Sequence, residues 1–584
     1  MASCSRSVRS FPRLTYDEEM ERLRKLLEEV SSDEETIEEE IEDSDNEDVF
    51  SEHQSESEEE CRSSDDEVCE QTSFFVGKDK TTKWQKEPFR NQKRIPVQNI
   101  IKKLPGNTQF SKHVTSPIDA WRLIFDDSII EMIVKCTNTY VESISGNFKR
   151  ERDAKPLVKE EFCAFVGLLY IAGLHKSSHV NVRDLWATDG TGLDIFRKTM
   201  NYKRFLFILR VLKFDDIKTR NDRRKIDKLA PVRNLFEHFI RNCQKSYHVG
   251  EYVTLDESFR GRCSFRQYMP KKPARYGLKI FALVDSRTFY TYNMEIYAGQ
   301  QPDGPYKTDN SSCEIAKRLL VPLYNSGRNV TTDNWYTSYE LAEFLQKQKI
   351  SIVGTIRKNR KVIPPEFASH KNREEHTTLF GFQKNIMILS YMTKRNNCVN
   401  LLSTMHDDNH IDESTGDLKK PEVITFYNMT KGAVDVVDEM GGSYSVARIS
   451  NRWPMVIFFS LLNITGINSR ILLLSTKTPP EKFRNRRHFL KDLAFSLLEP
   501  HMKSRQKQQE FLDEPQAKKQ KLSYRRCYLC PREKDKKSKT TCLKCEKNIC
   551  REHSVIEAVT SIIQSVFTLP PGCSPSLRRL AEDL

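Results

Sequence analysis

Val253-Thr254-Leu255-Asp256-Glu257 ends a β-branched run on an aspartate, so the sequence predicts a carboxylate projecting from the end of a strand rather than from a solvated helix face. The pattern recurs at Val330-Thr331-Thr332-Asp333-Asn334-Trp335. A third stretch, Gly432-Ala433-Val434-Asp435-Val436-Val437-Asp438, reads as a helix opening with Asp435 and Asp438 three residues apart on one face. Converging carboxylates are the ligands that a hard octahedral cation such as Mg²⁺ takes. Each aspartate taken alone reads first as a strand-end turn or a helix cap, and the scaffold between them changes that balance.

The intervening chain supplies a scaffold. A basic loop from Arg260-Gly261-Arg262 leads into alternating runs Lys279–Val284 and Phe289–Tyr297, split by the turn signal Asp285-Ser286-Arg287-Thr288. Helical spacing over Cys313–Leu320, a strand at Asn329–Thr332, a helix at Tyr339–Gln346 and a strand at Ile350–Ile356 follow. This is the element order of an RNase H-like α/β core, whose first and fourth strands lie side by side and would bring Asp256 beside Asp333.

Further motifs surround these strands: Phe259-Arg260-Gly261-Arg262-Cys263, Tyr276-Gly277-Leu278-Lys279, Asp333-Asn334-Trp335-Tyr336-Thr337-Ser338, Ile352-Val353-Gly354-Thr355-Ile356-Arg357, Lys431-Gly432-Ala433-Val434-Asp435 and Asn451-Arg452-Trp453-Pro454-Met455. From about residue 95 to His553 the chain thereby resembles the piggyBac transposases. The resemblance implies catalytic aspartates at Asp256, Asp333 and Asp435, a fourth acidic position at Asp438, and Mg²⁺ or Mn²⁺ as cofactor. It implies a catalytic core over 251–357 and 429–450 built on a mixed five-stranded sheet, with a β-rich insertion at 358–428. An all-helical dimerisation and DNA-binding region would be split between 96–250 and 451–500. The implied activity is cut-and-paste transposition by a homodimer on double-stranded DNA, at transposon ends and TTAA targets. Arg260, Arg262, Arg357, Lys358, Arg360, Lys361 and Trp453 are the candidate DNA contacts, although the run Arg357–Lys361 also reads as a solvated charged loop. Two rivals stand beside this reading: a domesticated descendant that binds DNA without cutting it, and an RNase H-like nuclease acting on another nucleic acid.

Charge is segregated along the 584 residues. Residues 17–70 hold 26 Asp/Glu against 4 Lys/Arg, a net of −22, so the remainder carries +35 within an overall +13. Such an excess attracts a polyanion. Residues 1–95 read as a disordered acidic tail, either a decoy for the DNA surface or a plain solubilising segment. No secretory signal is expected at the N-terminus, and Trp453–Leu474, broken by Asn463, Asn468 and Arg470, suits a buried helix better than a membrane span. From Pro117 the spacing of Ala120, Trp121, Ile124 and Phe125 is helical, with Trp121 and Phe125 as core residues; Phe162–Tyr170, Tyr202–Leu212 and Val232–Tyr247 continue it.

Near the other end, Cys527-x₂-Cys530-x₁₁-Cys542-x₂-Cys545-x₄-Cys550-x₂-His553 has the spacing of a tetrahedral Zn²⁺ finger, residues 527–553. The family resemblance implies a cross-braced arrangement in which Cys527, Cys530, Cys550 and His553 share one ion. Cys542 and Cys545 would be left as an incomplete second site, since the divergent tail 554–584 offers only Cys573. In the linker 501–526, Lys503-Ser504-Arg505-Gln506-Lys507 and Lys518-Lys519-Gln520-Lys521 resemble a bipartite signal for a nuclear import receptor, and nuclear localisation is the expectation.

Overall fold

Nine residues of alternating pattern, Tyr252–Arg260, form the central strand β1 of a computed structural model that describes residues 73–89, 100–260, 267–268, 276–369, 373–450, 452–513, 524–542 and 547–554. Its neighbours are β2 (Tyr276–Asp285), β3 (Thr291–Ile296), β4 (Asn329–Thr332) and β5 (Ser351–Thr355), with helices α1 (Ser312–Leu320) and α2 (Tyr339–Lys347) around β4. The turn into β3 is set by Asp285, whose Oδ1 accepts from the N–H groups of Arg287 and Thr288, both at 2.9 Å. Every residue of β4 and β5 is buried, as strands covered on both faces should be.

The strands lie in the order β3-β2-β1-β4-β5, with β2 antiparallel to β1 and β4 and β5 parallel to it. The first-against-fourth pairing expected of an RNase H-like core is therefore present, with Leu255 opposite Thr332. Asp333 directly follows β4 as expected. Asp256 does not end its strand: parallel pairing with β4 stops at Leu255, but β1 continues to Arg260 against β2, where Asp256 faces Ala282.

Nor does the sheet stop at five strands. The insertion contributes β6 (Thr378–Phe382), β7 (Met387–Lys394) and β8 (Asn397–Ser403), and β8 pairs antiparallel with β5, so these strands extend the same 11-stranded sheet. A free edge on β5 would leave unpaired backbone groups, and β8 satisfies them. At the far edge a hairpin of Phe74–Val76 and Lys83–Gln85 joins β6. This corrects the boundary of the acidic tail: Phe74, Phe75, Val76 and Trp84 give residues 73–89 apolar surface to bury, and Trp84 is fully buried with its indole N–H on the Val362 carbonyl at 2.9 Å. The acidic stretch 17–70, the import-signal residues 518–521, and Arg262, Cys545 and Cys573 lie outside the described residues.

Helices before and after the sheet pack together. Ser116 caps Pro117–Ile124, and Trp121 and Phe125 are fully buried as predicted. Phe458 of the helix Trp453–Leu474 stacks on Phe214 at 5.1 Å and meets Phe125 edge-on, while Tyr170 donates to the Leu462 carbonyl at 2.7 Å. That helix is the one described helix long and apolar enough to cross a membrane, and 83% of its most apolar window is buried inside the protein. The chain divides into two compact units, Met1–Met502 and Lys503–Leu584.

Candidate active site

Asp256 projects from the face of β1 that also carries Thr254 and Ser258. Over this face lie α3 (Glu422–Lys431) and α4 (Ala433–Ser443), joined at Gly432. Thr430 locks the end of α3 in place: its carbonyl accepts from Thr254 Oγ1 at 2.5 Å, and its hydroxyl meets that of Thr331 at 2.7 Å. This hydroxyl cluster fixes where α4 begins, so Asp435 in its first turn comes over Asp256. One turn on, Asp438 accepts from Ser258 Oγ at 2.8 Å and ties α4 to β1.

Asp333 sits in a rigid turn. Its Oδ1 accepts from the main chain of Trp335 at 3.0 Å, and its carbonyl accepts from Thr337 Oγ1 at 2.7 Å. Thr337 also bonds Thr332 at 2.7 Å, and this packing requires glycine at position 354, where a Cβ would lie 2.2 Å from Thr337 Oγ1.

Burial, then the neighbouring Asp333 and Asp435, pushes Asp256 well above the ordinary carboxylate range. Asp333 is pushed up to about 6, first by burial and then by Glu257. Two buried, raised carboxylates with Asp435 beside Asp256 form a donor set that a divalent cation stabilises, and all-oxygen donors suit Mg²⁺ or Mn²⁺. Asp256 and Asp333 are half-buried and Asp435 is exposed, which leaves one side open to a large substrate.

Sequence reasoning left Glu257 without a role. It is buried on the opposite face of β1 and paired with Lys279, whose ammonium also lies 4.4 Å from the Trp335 ring centroid. Period-2 alternation along β1 was the available signal: it puts Glu257 among apolar neighbours, where a carboxylate needs a cation.

In the second unit, Cys527, Cys530, Cys550 and His553 converge. Among the described residues they are the one set of three or more such side chains whose ligand atoms all lie within 4.8 Å of one another, so the aspartates are the looser group. Cys530 Sγ lies 3.7 Å from Cys550 Sγ, and His553 Nδ1 lies 3.5 Å from Cys527 Sγ and 3.2 Å from Cys550 Sγ. A tetrahedron with zinc–sulfur bonds of about 2.3 Å has edges of roughly 3.7 Å, so the four can hold zinc with little movement. The main-chain N–H of His553 leads the contacts that lower the Cys550 thiol and favour the thiolate a metal needs. Cys542 is buried beside them.

The family model described as Transposase IS4 matches residues 116–470, a span that contains all four aspartates. A solved piggyBac transposase, in the cryo-EM structure of its synaptic complex with hairpin DNA, is 32% identical with a TM-score of 0.63; the match covers 77% of this chain and 98% of that one. The chain is a piggyBac-type member of the transposase IS4 family. Human PiggyBac transposable element-derived protein 3 is 23% identical over 405 residues, 65% of this chain and 64% of its own length. Human PiggyBac transposable element-derived protein 2 is 25% identical over 252 residues, 42% of this chain and 40% of its own. The chain thus spans less than two thirds of these two curated relatives.

The remaining candidates of this family member are spread over unit 1. Arg260 ends β1. Arg357 and Lys358 are half-buried after β5, whereas Arg360 and Lys361 are exposed. The main chain of this basic run is fastened to the N-terminal hairpin, with Lys78 Nζ on the Lys358 carbonyl at 2.9 Å and Asp79 N on the Lys361 carbonyl at 3.0 Å. Trp453 opens its helix beside Arg452 and Lys213.

Proposed function

We propose that this chain is a cut-and-paste DNA transposase that hydrolyses a phosphodiester at each transposon end and joins the freed 3′-hydroxyl to a TTAA target. The observation that carries the reading is that strand pairing and the Thr430 and Asp438 hydrogen bonds bring Asp256, Asp333 and Asp435 together from three separate segments, close enough that Asp333 and Asp435 add to the effect of burial in raising Asp256. Asp256, Asp333 and Asp435 would hold divalent metal, Mg²⁺ or Mn²⁺, which when bound supplies Lewis acidity toward a phosphodiester and acidifies a water or sugar hydroxyl. Asp438 positions α4 through Ser258, and the rigid turn at Thr337 orients Asp333. The exposed side at Asp435 would admit a DNA strand, and Arg357, Lys358, Arg360 and Lys361 are the cations we propose to meet its backbone phosphates. Cys527, Cys530, Cys550 and His553 would hold one Zn²⁺ as a structural site. We place the protein in the nucleus as a homodimer, brought there by an import receptor that reads the basic linker.

A second reading, DNA binding without cleavage, is favoured by the relatives' names as transposable element-derived proteins. The complete aspartate set weighs against it. An excision assay with a plasmid carrying the matching terminal repeats separates the two: restored donor plasmid and insertions at TTAA support the transposase, and bound but uncut DNA supports the second reading.

A further inference from the structure

An open pocket of about 240 Å³ lies between the helices Ile217–Ile226 and Trp453–Leu474, and Lys213, Arg220, Arg224 and Arg452 all line it with Trp453 on one wall. No acid is among the described residues that line it, and the neighbouring Asp215 is already engaged. Asp215, 3% exposed, holds Arg220 through Nε at 3.0 and 3.1 Å and Arg223 at 2.7 Å, and Asp216 caps the helix through Lys218 N. The Arg452 guanidinium donates to the carbonyls of Arg210 at 2.7 Å and Leu209 at 3.3 Å, which orient it without neutralising it. Lys213 rests its ammonium 3.9 Å from the Tyr140 ring centroid. Burial, then Arg452 and Arg220, brings Lys213 down to about 8.

Confining these cations along one pocket costs folding energy, and an anion from outside the chain offsets that cost. The guanidinium groups supply the planar donors that phosphate oxygens accept, and the indole wall suits a sugar or base attached to that phosphate. We propose that this pocket seats a backbone phosphate of a nucleic-acid strand, as an anchoring site distinct from the aspartate centre. The proposal rests on the DNA-handling reading above and adds a place where the strand is gripped without being cut.

The test measures duplex affinity of the full chain against salt, without divalent metal, for the wild type, Lys213→Met and the surface variant Arg224→Gln. Each variant should bind roughly tenfold more weakly on every sequence, and its slope of log affinity on log salt should shrink by about 0.9. Lys213→Met should also melt no lower than the wild type, because a crowded charge has been removed, whereas loss of a merely structural lysine would lower the melting temperature. A short single-stranded oligonucleotide should raise the wild-type melting temperature more than inorganic pyrophosphate does, and should raise that of Lys213→Met less. Unchanged slopes in both variants would overturn the proposal, as would pyrophosphate giving the larger shift, which marks a free-anion site. A wild type that binds no duplex would sink the DNA reading and this proposal together, whereas failure of the pocket alone appears only as equality between wild type and variants.

Discussion

The cysteine cluster takes all its ligands from one short segment, Cys527 to His553, whereas the aspartates are gathered from β1, the turn after β4 and the first turn of α4. In the cluster the spacing of the residues already encodes a tetrahedron, and the ligand atoms lie within 4.8 Å of one another before any metal is considered. In the aspartate centre, sheet register and a layer of threonine hydroxyls do the gathering, and the carboxylates stay further apart. Zinc in so small a unit would therefore be a folding term, while the aspartates depend on an entire sheet and, under the proposed function, serve chemistry.

The sharpest way to break this contrast is to neutralise one aspartate. Asp256→Asn, Asp333→Asn or Asp435→Asn should each lower DNA cleavage by on the order of a thousandfold or more, since the charge that holds the metal is lost while the shape remains. Duplex affinity measured in the same preparations should change little, and near wild-type cleavage by any one variant would remove that residue from the site. Next in size, Cys550→Ser should release the zinc and unfold the finger without altering divalent-metal binding in unit 1. Metal analysis should find about one zinc per wild-type chain, and two tightly held ions would mean that Cys542 and Cys545 complete a second site.

The core was legible in the sequence because its strands and helices carry clean periods, and the β-branched runs before Asp256 and Asp333 marked where carboxylates meet. What escaped has physical reasons. Helix α3 reads Glu422-Val423-Ile424-Thr425-Phe426-Tyr427, β-branched and aromatic residues buried on several sides, so no amphipathic period announces it. Strand β1 runs past Asp256 because β2, remote in sequence, continues to pair with it. The insertion's attachment to β5 is a matter of partner choice, which alternation within a strand does not specify. The hairpin at 74–85 was hidden by the acidic composition next to it, although Phe74, Phe75 and Trp84 were visible.

That hairpin refines a third prediction. Removing residues 1–72 should tighten non-specific DNA binding severalfold at low salt, with the effect fading as screening increases. Cutting through residue 90 should instead destabilise unit 1, and Trp84→Ala alone should cost about 3–5 kcal/mol in denaturant unfolding. Equal low-salt affinity with and without residues 1–72 would dispose of the decoy role.

The smallest expected effect concerns pH. Asp333 stands at about 6 in the folded chain against an ordinary 3.8, so between these values the folded state binds the extra proton. Its contribution to stability without metal should therefore fall as pH rises through that window, and Asp333→Asn should flatten this part of the profile. Added Mg²⁺ should restore stability at the high-pH end; a wild type and Asp333→Asn with identical profiles would contradict the assignment.

The central claim, that carboxylates from three segments form one metal site separate from the zinc cluster, is tested most directly by electron paramagnetic resonance titration of Mn²⁺ into the zinc-loaded full chain. The wild type should bind Mn²⁺, Asp256→Asn and Asp435→Asn should each bind it at least tenfold more weakly, and all three should keep their zinc. Undiminished Mn²⁺ binding in both variants would contradict the account.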